Sequence, residues 1–400
     1  MSISAYSKVF SQSAFFKAWS SIYSRSAPSS RNTEGIDGIS LNKFANDLER
    51  NLRRLREIVR LKKFHFQLLQ PFPVPKPNGK IRIIAVPTIQ DRIVQRVLVD
   101  YLSTRYKDQF ESKISFGFIK NRGVQHAAKK AVTYRNSKRW VFKTDITSFF
   151  DNISRELLKK IIIKAIPERS LHSILFEAID CEVNESKRDI KKYLKELGIK
   201  KGYGLRQGMP LSPLFSNIFL KNFDDAIVNA NYQAVRYADD LVFFGKNKEE
   251  CLNISEFCKT ELQKIGLEIP LLSDETKTII YSPDEPAEFL GVQIARKTRG
   301  KGYILTLSST QIERMRKELL SLASIPSLNS RGITLKNLGQ SLKSRQAGFL
   351  AAYNVCSNIK EIVWNLDKIE QKILRTLYRD ELGIKIDTLT AEARTFLGLQ

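Results

Sequence analysis

Three carboxylates sit where carboxylates are unusual. Asp145 interrupts the apolar stretch WVFKTDITSFF, and Asp239 and Asp240 occupy the middle of YQAVRYADDLVFFG. A carboxylate in a strand that should be buried costs several kcal/mol unless something pairs with it, and a divalent cation is such a partner. If the strand and the hairpin are neighbours in one sheet, the three carboxylates converge. They can then hold two Mg²⁺ ions, with Mn²⁺ as an alternative, that clamp the attacking and leaving oxygens of an in-line phosphoryl displacement. That is polymerase or nuclease chemistry. Taken alone, the Asp-Asp pair suits an ordinary hairpin turn equally well.

The elements that must position these residues follow from patterning. WVFKTD reads as a buried strand entering a helical LLKKIIIKAI, and YQAVRY with DLVFFG reads as a hairpin. A helix over about 248–265, a strand around Thr278 to Tyr281, then FLGVQIA and YILTL continue the alternation, as an α+β sheet domain would. Upstream, Leu48, Leu52, Leu55, Val59 and Leu61 fall at three- and four-residue steps among Arg50, Arg53, Arg54, Arg56, Arg60, Lys62 and Lys63. The spacing predicts a helix with one buried and one basic face, and phosphate contact competes there with a merely solvated surface. QPFPVPKPNGKIRIIAVP predicts two extended segments joined at Asn78-Gly79. ESKRDIKKYLKELGIKK predicts an exposed, charged excursion, and SPLFSNIFLKNFDDAIV a helix with Ser212 as cap and Pro213 first. Past Ser308 three basic helical patterns follow, around 309–323, 334–353 and 360–380.

Composition narrows the partners. Lys and Arg total 66 against 42 Asp and Glu, a net charge of +24, which points to a polyanion. At roughly 100 to 200 residues per domain the chain implies two to four domains, and its 42% apolar content suffices for real cores. No uncharged apolar run approaches the length of a membrane span, and the N-terminus lacks the pattern of a secretory signal. Four scattered cysteines and three histidines give little support to zinc fingers, disulfide scaffolds or histidine triads. The expectation is a cytoplasmic protein with no membrane partner.

Tyr237-Ala238-Asp239-Asp240 resembles the metal-binding box of reverse transcriptases, and the rest of that family's motif series stands in order around it. NTEGIDGISLNKF resembles the extra N-terminal motif of enzymes related to group II introns. PVPKPNGKIRIIAVPTIQDRIVQRVL and FGFIKNRGVQHA resemble the two fingers motifs, and FKTDITSFFDNIS the first catalytic-aspartate motif. GLRQGMPLSPLFSNIFL, the lysine of SDETKTIIYS and AEFLGVQI complete the series, so the resemblance covers about residues 32 to 300.

The resemblance implies an α+β right-hand polymerase. Residues 1–140 would form an N-terminal extension and fingers, and 141–305 a palm with a ferredoxin-like antiparallel sheet and a charged insertion near 181–204. Residues 306–400 would form a helical thumb. It implies RNA-directed DNA polymerase activity with Asp145, Asp239 and Asp240 as catalytic carboxylates and, with Ile146, as the metal set. Lys80 and Arg82 match the residues that pair with the incoming triphosphate, Phe150 the aromatic gate against a ribose 2′-hydroxyl, and Gln207 and Gly208 residues near nucleotide and template. Lys277 matches a lysine proposed as general acid toward pyrophosphate, and Phe289-Leu290-Gly291 the primer grip. Core packing for Phe150 and a surface charge for Lys277 are the alternatives. Asp151 reads as a helix cap and His126 as a packing or backbone-binding residue.

Retron-like NAxxH and VTG strings are absent, and Ser212-Pro213 departs from the diversity-generating pattern. The architecture is similar to freestanding bacterial enzymes of phage defence. Their resemblance implies a structured noncoding RNA as template and scaffold, dNTPs as substrates, DNA or an RNA–DNA hybrid as product, and an oligomeric state that periodicity leaves open. Template-independent or protein-primed DNA synthesis, with Tyr353, Tyr378 or a residue near the N-terminus as hydroxyl source, and a group II intron maturase acting as splicing cofactor are the competing readings.

Overall fold

The computed structural model describes residues 5–75, 81–273 and 276–399. Its centre is a four-stranded antiparallel sheet in the order β4-β5-β3-β6, from β3 (Trp140–Asp145), β4 (Gln233–Tyr237), β5 (Asp240–Gly245) and β6 (Ile279–Tyr281). β3 and β5 read as continuous apolar runs because both faces of the sheet are covered. Phe142, Leu241 and Phe243 enter one core, while Val141, Val242 and Phe244 enter a second on the opposite face. The helix Lys248–Gln263, capped by Asn247, whose side chain accepts from Glu250 N at 2.8 Å, lays Cys251, Ile254, Cys258 and Leu262 against the sheet.

Two smaller sheets flank this one. β1 (Gln70–Pro75) and β2 (Ile81–Val86) pair antiparallel with Pro75 opposite Ile81, and β7 (Ala287–Phe289), β8 (Val292–Arg296) and β9 (Tyr303–Thr306) form a meander. The expected turn at Asn78-Gly79, and Lys80 with it, lie outside the described residues. The helices Ser309–Leu320, Leu335–Tyr353 and Ile359–Thr376 follow the three predicted patterns, joined by short helices at Ile325–Ser330 and Ala391–Phe396. Met315, Leu319, Leu338, Leu342, Leu366 and Ile373 share one apolar cluster with Phe289, Ile294 and Leu305 of the meander. Among the described residues no helix is long and apolar enough to cross a membrane.

Several local expectations change. The helix Leu48–Arg60 buries Leu52, Leu55 and Val59 as predicted, but Leu61 follows its last turn and is exposed. The 182–201 stretch is no loose excursion. Its helix Arg188–Glu196 buries Ile190 and Leu194, four residues apart, a pattern masked by the surrounding charge. Glu182 fastens its base, accepting from Arg155 at 2.7 Å, Arg206 at 2.7 Å and the Gly202 N–H at 2.7 Å. Ser212 does not cap its helix; it is the first helical residue and donates its hydroxyl to Arg206 O at 2.9 Å. Asp151 is likewise not the cap of the next helix: it lies within a separate short helix, Phe149–Asn152, and Ser154 caps Arg155–Ala165 by accepting from Leu157 N.

Candidate active site

Antiparallel pairing of β3 with β5 sets Asp145 directly opposite Asp240. Tyr237 pairs with Asp240 across β4 and β5, so Ala238 and Asp239 form a two-residue loop, with Ala238 held at φ 57° in the left-handed region. Ile146 N–H donates to Asp239 O at 3.1 Å, tying the loop to the end of β3. The sheet therefore gathers Asp145, Ile146, Asp239 and Asp240 at one end.

That loop is braced by residues the sequence reading missed. Arg236 is fully buried; it donates to both Asp224 oxygens at 2.6 and 2.5 Å, to Asn217 Oδ1 at 3.2 Å and to Ala238 O at 3.0 Å. Gly117 lies so close that a Cβ there would stand 2.5 Å from Ala238 N, and its carbonyl accepts from Asn217 at 3.0 Å. The available signal was Arg236 itself, a charge inside an otherwise apolar strand, with Asp224 in the preceding helix as a counter-ion of unknown register.

The electrostatics are those of crowded carboxylates. Burial, then the neighbouring Asp239, push Asp240 up to about 6, against the smaller opposing pull of Lys143 and Lys277. Lys277 Nζ lies 2.5 Å from Asp145 Oδ2, and this hydrogen bond is the main reason its own pKa is raised. Thr278, next in sequence, is locked to Thr144 by a 2.7 Å hydroxyl contact, which sets Lys277 beside β3. Among the described residues no three carboxylate, imidazole or thiol groups form a ready-made metal cage, and Lys277 pairs with one oxygen of Asp145. The donor chemistry nevertheless fits hard divalent cations: oxygen ligands only, with a half-buried carboxyl, Asp240, whose ionised form is disfavoured by burial and by Asp239.

The remaining expected residues fall in separate places. Phe149 is buried and Phe150 half-buried, their rings 5.3 Å apart at 61°. Phe150 O accepts from Leu205 N at 2.7 Å, and a Cβ on Gly204 would stand 2.6 Å from Asp151 O, so the 204–208 segment runs against this turn. It continues onto β2, where Gln207 O accepts from Ala85 N at 2.7 Å and Gly208, at φ 114°, leaves no room for a Cβ against Ala85 O. Arg82, Gln207, Ser148 and Asp151 thus share a cleft of about 600 Å³ with Tyr193 and Glu196 of the 188–196 helix. Phe150 stands beside this cleft and is not part of its lining. Leu290 and Gly291, at φ 52° and 79°, make the two-residue turn between β7 and β8, and the Tyr353 ring covers Gly291. Tyr353 is no free hydroxyl: it accepts from Gln311 at 2.9 Å. His126 accepts from Gly123 N–H at 3.3 Å, a backbone role.

An antiparallel palm-like sheet with carboxylates at one end, flanked by a β-hairpin and a helical unit, defines a right-hand polymerase. The family model for reverse transcriptase (RNA-dependent DNA polymerase) matches residues 74–294, more than half of the chain. The chain belongs to the reverse transcriptase family. It is 28% identical to protein YkfC of Escherichia coli (strain K12), over 73% of this chain and 84% of YkfC. It is 23% identical to the group II intron-encoded protein LtrA of Lactococcus lactis subsp. cremoris, over 72% of this chain and 55% of LtrA. The retron Ec83 reverse transcriptase of Escherichia coli is 26% identical over 46% of this chain and 54% of its own length. The chain thus spans about half the length of these last two relatives. A solved apo telomerase from Candida tropicalis covers 60% of this chain and is covered over 56% of its own, at 15% identity and a TM-score of 0.41.

Proposed function

We propose that this RNA-directed DNA polymerase copies an associated structured noncoding RNA into DNA by two-metal phosphoryl transfer, acting in antiviral defence. The observation that carries the chemical part is the register that faces Asp145 with Asp240 beneath the Ala238-Asp239 loop. In this reading Asp145, Asp239, Asp240 and the Ile146 carbonyl hold Mg²⁺, which supplies charge neutralisation at the reacting phosphate. Lys277 keeps Asp145 paired and poised until a cation competes for it, and its ammonium is close enough to serve as proton donor. Arg82, with Lys80, neutralises the triphosphate; Phe150 faces the sugar; Gln207 and Gly208 let the backbone approach the nucleotide. Residues 1–140 act as fingers, 141–305 as palm and 306–400 as thumb.

The template and biological role rest on the net charge of +24 and the likeness to freestanding bacterial enzymes. Purification from cells expressing the native locus, followed by sequencing of all co-purifying RNA and DNA, tests both. One dominant RNA with complementary DNA, present in wild type and lost in an Asp239→Ala/Asp240→Ala double variant, is the expected result. DNA without matching RNA would replace this reading with untemplated synthesis, and RNA without DNA would replace it with a splicing role. The double variant should retain RNA affinity, since neither carboxylate attracts phosphate.

A further inference from the structure

The β8–β9 hairpin ends in Arg296-Lys297-Thr298-Arg299-Gly300-Lys301, four cations in six residues, all exposed. The turn is a formed element: Lys297 N donates to Gly302 O at 3.0 Å, and Gly300 and Gly302 take φ of 85° and 101°. Its base is anchored on the helix Val124–Ser137. Asn136 Oδ1 accepts from Tyr303 N at 2.9 Å, and the buried Arg135 donates to Ser282 O at 2.9 Å and stacks 4.5 Å over the Tyr303 ring. Between the turn and that helix lies a concave cleft of about 610 Å³ to which Arg139, Arg296 and Lys301 contribute. Asp284 pairs with Arg296 there, and among the described residues no carboxylate lies within ion-pair distance of Arg139, Lys297, Arg299 or Lys301.

Position separates this cleft from the polymerase chemistry. Arg139 immediately precedes β3, whereas Asp145 is that strand's last residue, six steps or about 20 Å further on. The basic turn therefore belongs to the opposite end of the central sheet from the carboxylates.

We propose that this cleft is a second RNA-binding surface, which holds the phosphate backbone of a folded RNA away from the catalytic end. Uncompensated cations cost self-repulsion that a polyanion relieves, and arginine forks on a concave wall match phosphate oxygens. A folded RNA anchored here would leave its single-stranded part free to reach Asp145, so one molecule serves as scaffold and template.

The full chain carrying Arg139→Gln, Arg299→Gln and Lys301→Gln tests this against wild type. A second triple variant, Lys160→Gln, Lys164→Gln and Lys248→Gln, loses the same charge elsewhere on the surface. One probe is a labelled hairpin RNA without a primer end; the other is extension of a short DNA primer on an unstructured RNA template. The cleft variant should bind the hairpin about tenfold more weakly at physiological salt, with a log–log salt slope shallower by about two to three units. Its primer extension and melting temperature should match wild type, and the charge control should keep most of its hairpin affinity. Unchanged hairpin binding, or an equal loss in the control, would overturn the proposal. A matching loss of primer extension would instead assign the turn to the template–primer track. Because hairpin binding needs no synthesis, a wild type inactive in extension would sink the polymerase reading while this surface is still decided.

Discussion

Phe150 illustrates what one side chain can and cannot reveal. The sequence pairs it with a buried Phe149, and the two rings do pack on each other, yet Phe150 keeps a half-exposed face beside the Arg82–Gln207 cleft. As a sugar gate, Phe150→Ala should raise ribonucleotide use relative to deoxynucleotide use by about 10- to 100-fold in competing single-nucleotide incorporation. An unchanged ratio with a lower melting temperature would return the ring to the core. Asp91 makes a different point, since nothing local marks it. Burial pushes its carboxyl up to about 7, with hydrogen bonds from Thr88 and Gln67 opposing this only in part. Its folded pKa exceeds the unfolded value of 3.8, so the folded state binds the proton more tightly and stability is lost as pH rises between about 4 and 7. Asp91→Asn should flatten that segment of the stability curve and exceed wild type by up to about 4 kcal/mol at pH 8. Parallel urea-unfolding curves at pH 5 and pH 8 would refute it.

The β4–β5 hairpin was legible as an element, because alternating apolar runs around a two-residue polar break have few other solutions. Its anchoring was not. Arg236, Asp224, Asn217 and Gly117 come from four separate segments, and only the folded chain brings them under the Ala238-Asp239 loop. Arg236→Met leaves Asp224 buried without its counter-ion and should cost about 3 to 5 kcal/mol in urea unfolding. The double change Arg236→Met/Asp224→Leu should recover much of that stability. Nucleotide incorporation should stay low in the double variant, because Ala238 O has lost its donor and the Asp239 loop is held on one side only, by Ile146 N–H. Full activity in a stable double variant would show that the brace has no part in catalysis. The 188–196 helix carries the same lesson in reverse: its charge predicted exposure, whereas two apolar residues and the Glu182 clasp dock it against β1 and β2.

Across the whole molecule, the excess of 24 positive charges is organised rather than uniform. The helix Leu48–Arg60 presents Arg50, Arg53, Arg54 and Arg60 outward, while Arg56 is half-buried and donates to Phe10 O at 3.2 Å. Arg53→Gln and Arg54→Gln together should therefore weaken RNA binding and reduce its salt slope by about two units, measured by titration at several salt concentrations. Adding Arg56→Gln should lower the melting temperature more than it lowers the slope. An unaltered slope in the first pair would make this face a solvated one.

The residue types that bear the chemistry, their order and the elements that carry them are all legible along the chain. Strand alternation, helical spacing and turn composition are local patterns, and Asp145 and Asp239-Asp240 stand out as charges within them. Tertiary structure decided which carboxylates meet and in what state. Asp145 reaches Asp240 only through the β3–β5 register, Lys277 reaches Asp145 only because Thr278 docks on Thr144, and Asp240 is pushed up to about 6 only once buried beside Asp239. Register and burial depend on how distant segments pack around a shared core, and no window of sequence contains that information.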